Sequence, residues 1–255
     1  MGHIRIGKLP KRRNWLQVCE LLETGASIPR LSNQISKNVM RTILNEGNQT
    51  AVFHCLKFLI RLTYASKSND FINELTSIGV NVSQGDSGTK LLSKIINKLS
   101  EIVAESPTRS HLDTIAVYSL NETLTQTILK ESNTLFGCSI EDVKNVFKKY
   151  STRVRFGKLS RLFFSNYLNR IFQSLIDRTI SDYVGTDKQF KDVNNVIKFQ
   201  ESLGIYCWEV SKIVEDYSGG WFSKHAWEGT INDEEIKRYV RYSFKKLLTE
   251  LKEGK

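Results

Sequence analysis

Proline is nearly missing: Pro10, Pro29 and Pro107 are the only three in 255 residues. A chain so poor in the residue that removes a helical donor and clashes with the preceding turn is free to form long helices. Cysteine is sparse and scattered. Cys19, Cys55, Cys138 and Cys207 form no Cys-x-x-Cys pair, which argues against a zinc site and a disulfide frame and for reduced thiols in a cytoplasmic protein. No apolar run reaches the length needed to cross a bilayer, and the charged opening is followed by no apolar stretch of the secretory kind. Catalytic signatures are missing as well. The histidines His3, His54, His111 and His225 show no metal-ligand spacing, and Gly85-Asp86-Ser87-Gly88 lacks the Gly-Lys-Ser/Thr ending of a phosphate loop. There is no nucleophile elbow, dinucleotide fingerprint or nuclease-like carboxylate cluster. The sequence therefore names no catalytic residue, metal or cofactor, and leans away from an enzyme.

What is abundant is positive charge. The chain carries 37 Lys and Arg against 27 Asp and Glu, a formal net charge of +10. Within 144–178 nine basic residues face one acidic residue, Asp177. Such an excess favours a polyanionic partner: nucleic acid, an anionic membrane surface or an acidic protein.

Apolar residues recur at three- and four-residue steps almost throughout, and no alternation is long enough for a sheet. The fold class expected is all-α, an irregular bundle of roughly eight to ten helices. A helix from about Gln49 to Ala65 is apolar nearly all round and belongs in its middle. The longest, 157–184, is stopped by Gly185 and forms the spine of the second half. Another spans Val193 to Asp216. Ser139 with Asp142, and Asn232 with Glu235, read as capping boxes, the second with Ile231 packing on Ile236 as a staple. The loop Ser83–Gly88 reads as the clearest flexible segment. Pro107 marks a seam between two subdomains, 15–106 and 107–255, behind a basic arm, 1–14.

Two regions are candidate sites. The first is the basic run Lys148, Lys149, Arg153, Arg155, Lys158 and Arg161, joined by Arg12 and Arg13 of the arm. Its cations would neutralise phosphates, and the interleaved Tyr150 and Phe156 would stack on unpaired bases. The same residues also suit solvated helix ends, with Lys148 and Lys149 at a helix C-terminus. The second is 217–231, expected as a loop in which Gly219 and Gly220 end the preceding helix and Trp221, Phe222, Lys224, His225 and Trp227 follow. Its rings either plug the core, anchor a protein partner, or leave Lys224 and His225 lining a small site. A basic amphipathic helix at 233–251 adds peripheral membrane binding as a further possibility.

The opening Gly2-His3-Ile4-Arg5-Ile6-Gly7-Lys8-Leu9-Pro10, the Phe163–Gly185 region and the Gly219-Gly220-Trp221-Phe222-Ser223-Lys224…Glu228-Gly229 segment resemble an uncharacterised bacterial family encoded beside mobile-element and anti-phage genes. The resemblance implies an accessory role within a multi-component bacterial defence system. It assigns no functional residue. The function expected is a non-enzymatic accessory subunit that binds nucleic acid, or a partner associated with it, through basic surface.

Overall fold

The computed structural model describes residues 13–43, 49–83, 85–105, 110–132 and 137–253, without the side chains of 13, 14, 38–42 and 132. Among them are eleven α-helices and no strand. In chain order they are α1 (Arg13–Glu23), α2 (Ile28–Ile43), α3 (Thr50–Ala65), α4 (Phe71–Ser77), α5 (Gly88–Ala104) and α6 (His111–Ser132). Then come α7 (Ile140–Tyr150), α8 (Arg153–Ile176), α9 (Val193–Val210), α10 (Lys212–Trp227) and α11 (Asp233–Glu253). A 3-10 turn at Ile180–Tyr183 follows α8. The all-α bundle is as the periodicity predicts.

Two helices organise the rest. In α3 eleven of sixteen residues are buried, from Ala51 to Ala65, and it packs against α4, α5, α6, α7 and α11. α8 is the other, with 24 residues spanning about 36 Å; α6, α7, α9 and α10 pack round it. The buried side chains form one cluster, and α11 joins its two ends by packing on α2, α3 and α10. Pro107 itself lies outside the described residues.

α6 shows how a Thr-rich sequence stays helical inside a core. Buried Ser119, Thr123 and Thr127 donate their hydroxyls to the carbonyls of Ile115, Ser119 and Thr123, at 2.8, 2.7 and 2.7 Å. Each polar group is thereby satisfied within its own helix.

Three expectations change. The long helix begins four residues earlier than 157 and ends at Ile176, with the chain tightening into the 3-10 turn before Gly185. The Val193–Asp216 helix is broken at Ser211, which ends α9 and begins α10. Most consequentially, Gly219 and Gly220 do not stop a helix: α10 runs through them to Trp227, and the turn comes at Gly229, whose φ of 64° suits glycine. The cause is a close antiparallel crossing of α8 and α10. A Cβ at Gly219 would strike the Arg153 carbonyl oxygen, and one at Gly157 would lie 2.6 Å from the Glu215 carbonyl oxygen. Glycine here lets two helices touch. One turn along, Phe156 and Phe222 stack at 4.0 Å between centroids, both fully buried.

The Ser83–Gly88 segment is anchored by a buried side chain. Asp86 accepts from the Ser83 backbone N–H at 2.9 Å and pairs with Lys90 at 2.8 Å and Lys94 at 2.5 Å. Those two lysines, with the Ser83 N–H, hold its carboxyl well below the usual range.

Candidate functional site: a basic cleft between α6 and α8

The helical step of α8 places Arg155, Lys158 and Leu162 on one stripe, and α6 presents Gln126 and Lys130 one turn apart opposite. Between them lies a cleft of about 620 Å³, closed by Tyr150 at the end of α7, Trp208 of α9 and Glu215 of α10. Its lining brings Lys130, Arg155, Lys158 and Arg161 together with Glu131 and Glu215.

These charges are not equivalent. Glu131 is clasped by Lys149 at 3.0 Å, Arg155 at 3.1 Å and the Tyr150 hydroxyl at 3.3 Å. Burial alone would raise the Glu131 pKa, but Lys149, Arg155 and Tyr150 outweigh it and hold the carboxyl below its ordinary value. Arg161 is buried. Its Nε donates to the Trp208 carbonyl at 2.9 Å, its Nη1 to Glu215 at 3.0 Å, and its Nη2 meets Glu209 at 3.4 Å. The guanidinium lies 4.0 Å from the Trp208 ring centroid, a cation–π geometry. Lys130 and Lys158, both exposed, meet no carboxylate among the described residues.

The predicted basic run is thus divided. Arg155 and Lys158 line the cleft, and Lys149 reaches its edge through Glu131. Arg161 is a correction: its charge is spent inside the protein, holding α8 to the α9–α10 junction, and is not offered to a polyanion. Phe156 is likewise core rather than a stacking surface, and Tyr150 is only 8% exposed. Lys148 and Arg153 are exposed but do not line the cleft, and the Arg153 side chain lies over Gly220. Arg12 lies outside the described residues, as does the side chain of Arg13. Lys130, Glu131 and Trp208 were missed. Only a tertiary contact brings them to the run.

The second predicted region separates too. Phe222 is fully buried and belongs to the core, a correction to its role as a partner anchor. Trp221 is half-buried, stacked on Tyr239 at 4.5 Å and tilted against the His225 ring at 4.9 Å. His225 Nδ1 shares a 2.7 Å hydrogen bond with the Thr230 hydroxyl, which ties the end of α10 to the turn before α11. Lys224 is exposed, and Trp227 is 92% exposed. None of these residues lines the cleft.

Among the described residues no group of three or more His, Cys, Asp or Glu is arranged to hold a metal ion, and no helix is long and apolar enough to cross a membrane. All four cysteines are free. Comparison with known protein families finds no match, and comparisons with curated proteins and with solved structures find none either.

Proposed function

We propose that this protein is a non-enzymatic accessory subunit that binds nucleic acid, with the α6–α8 cleft as its contact surface. The observation that carries the reading is the meeting of Lys130, from one helix, with Arg155 and Lys158, from another, around a recess that also holds aromatic surface. Among the described residues two of these cations, Lys130 and Lys158, meet no carboxylate, so phosphate oxygens are their natural acceptors. The cytoplasmic setting and the place in a bacterial multi-component system belong to the same proposal, and rest on the resemblance of the Gly2–Pro10, Phe163–Gly185 and Gly219–Gly229 segments.

The test is binding of labelled single- and double-stranded DNA and RNA across a salt series. Affinity should fall as salt rises, with a logarithmic slope of about 0.7 to 0.9 for each phosphate neutralised. Replacing Lys130 and Lys158 together by Glu should weaken binding and flatten that slope, while the circular-dichroism melt stays in place. Affinity that is undetectable at low salt, or indifferent to salt, removes the reading.

One observation favours a second role, that of a protein-partner anchor. A tryptophan as exposed as Trp227, at the tip of the α10–α11 hairpin, suits the hot spot of an interface. Trp227→Ala should then weaken co-purification with the product of a neighbouring gene.

A further inference from the structure

We infer that the α6–α8 cleft takes one unpaired nucleotide of a single strand at a time, base inward and phosphates at the rim, and turns duplex away. The inference rests on the nucleic-acid reading above and goes beyond it by naming the form of the ligand.

Shape is the first ground. Proteins that read duplex insert a helix or ribbon into a groove about 12 Å wide, so their contact surface is convex. Here the cations surround a recess of about 620 Å³, within the range of roughly 300–1,000 Å³ that takes small molecules. A double helix bridges such a recess without entering it. A base turned out of its stack enters it.

The lining is the second ground. Phosphates alone need only cations, yet this recess also carries Trp208 and Leu162. Apolar and π surface beneath a cationic rim is the arrangement that holds unpaired bases, because every base has a face to stack whatever its sequence. Trp208 is also fixed in place. Arg161 covers one side of the indole at 4.0 Å and is itself held by Glu215, Glu209 and the Trp208 carbonyl. A platform ordered before the ligand arrives loses little freedom on binding.

The arrangement of charge is the third ground. The cations engaged with carboxylates, Lys149, Arg155 and Arg161, surround Glu131 and Glu215. Lys130 and Lys158 stand on opposite helices with no such partner among the described residues, on the two sides along which a strand would pass. A base seated between them leaves its two flanking phosphates facing opposite lysines.

The test compares three labelled probes of equal length at one salt concentration: an oligothymidine, the same strand with abasic sites throughout, and a duplex. The native chain should bind oligothymidine at least about fivefold more tightly than the abasic strand, and more tightly than the duplex despite its extra phosphates. Trp208→Leu should bring oligothymidine down to the abasic level and leave the abasic affinity unchanged. If that variant fails to fold, Trp208→Phe, which keeps a ring, should retain most of the difference. Equal affinity for the abasic strand, or a duplex bound as tightly as the single strand, overturns this inference and leaves the nucleic-acid reading standing. Failure of all three probes at low salt overturns both.

Discussion

A methyl group added at Gly219 would run into the Arg153 carbonyl oxygen, whereas one added at Gly220 would sit 3.9 Å from the Arg153 guanidinium, an ordinary contact. The two residues are adjacent in the same helix, so backbone propensity is common to both and only the neighbour differs. Gly220→Ala should stabilise the protein by about 0.5–1 kcal/mol, the ordinary gain from replacing a mid-helix glycine. Gly219→Ala should destabilise it by about 1–3 kcal/mol, because the crossing must open to admit the new atom. Urea denaturation checks both; loss of the sign difference would show that α8 and α10 do not touch at this point. Gly-Gly in a sequence reads as a stop because the cost of glycine in a helix is local knowledge. The compensating contact with Arg153, more than sixty residues back, is not.

At the scale of elements, most helices were legible. The apolar-all-round pattern of α3 becomes the most buried helix, and the Ser139–Asp142 pair forms both halves of a capping box. For α11 only half of the expected box is made. Asn232 Oδ1 accepts from the Glu235 N–H at 3.0 Å, but the Glu235 carboxylate turns instead to Arg238, 2.5 Å away. α10 is where pattern reading failed, and its aromatics sort by helical angle once the helix is known. Phe222 faces α8, Trp221 faces α11, and Trp227 faces solvent. Phe222→Ala should therefore cost about 3–5 kcal/mol, and Trp227→Ala should shift stability by no more than about 0.5 kcal/mol. Comparable losses from both would place Trp227 in a buried contact. The site was legible in the same partial way. Arg155 and Lys158 stood out as part of a basic run, whereas Lys130, Glu131 and Trp208 needed the packing. Arg161 looked identical to its neighbours, because the carboxylates that claim it lie on other helices.

For the whole molecule, the titrating groups mostly push in one direction. Burial lowers the pKa of His54, helped by Lys57, and that of His111, helped by Arg178, so the fold favours both rings neutral. Burial would raise Glu131 and Glu215, but their cationic partners prevail and lower both; Asp142 is lowered by the Ser139 backbone and hydroxyl. A group whose pKa is lower in the folded state contributes its stability above the unfolded value and loses it as pH falls through the folded one. Stability should thus begin to decline below about pH 6.5 as the histidines protonate, and fall again below about pH 4 as the carboxylates do. Asp177, raised by burial, opposes the second step. Melting temperature measured across pH should show both limbs, and His54→Gln should shallow the upper one. A flat profile between pH 7 and 5 would remove the histidine contribution.

The close crossing of α8 and α10 has a reach beyond packing. Glu215 supplies at one point the backbone oxygen that Gly157 leaves room for and the carboxylate that fixes Arg161 under Trp208. Spacing between these two helices therefore sets where the indole stands in the recess. A genetic screen for defective ligand capture should return alleles at uncharged, hidden Gly157 and Gly219 beside those at the surface lysines.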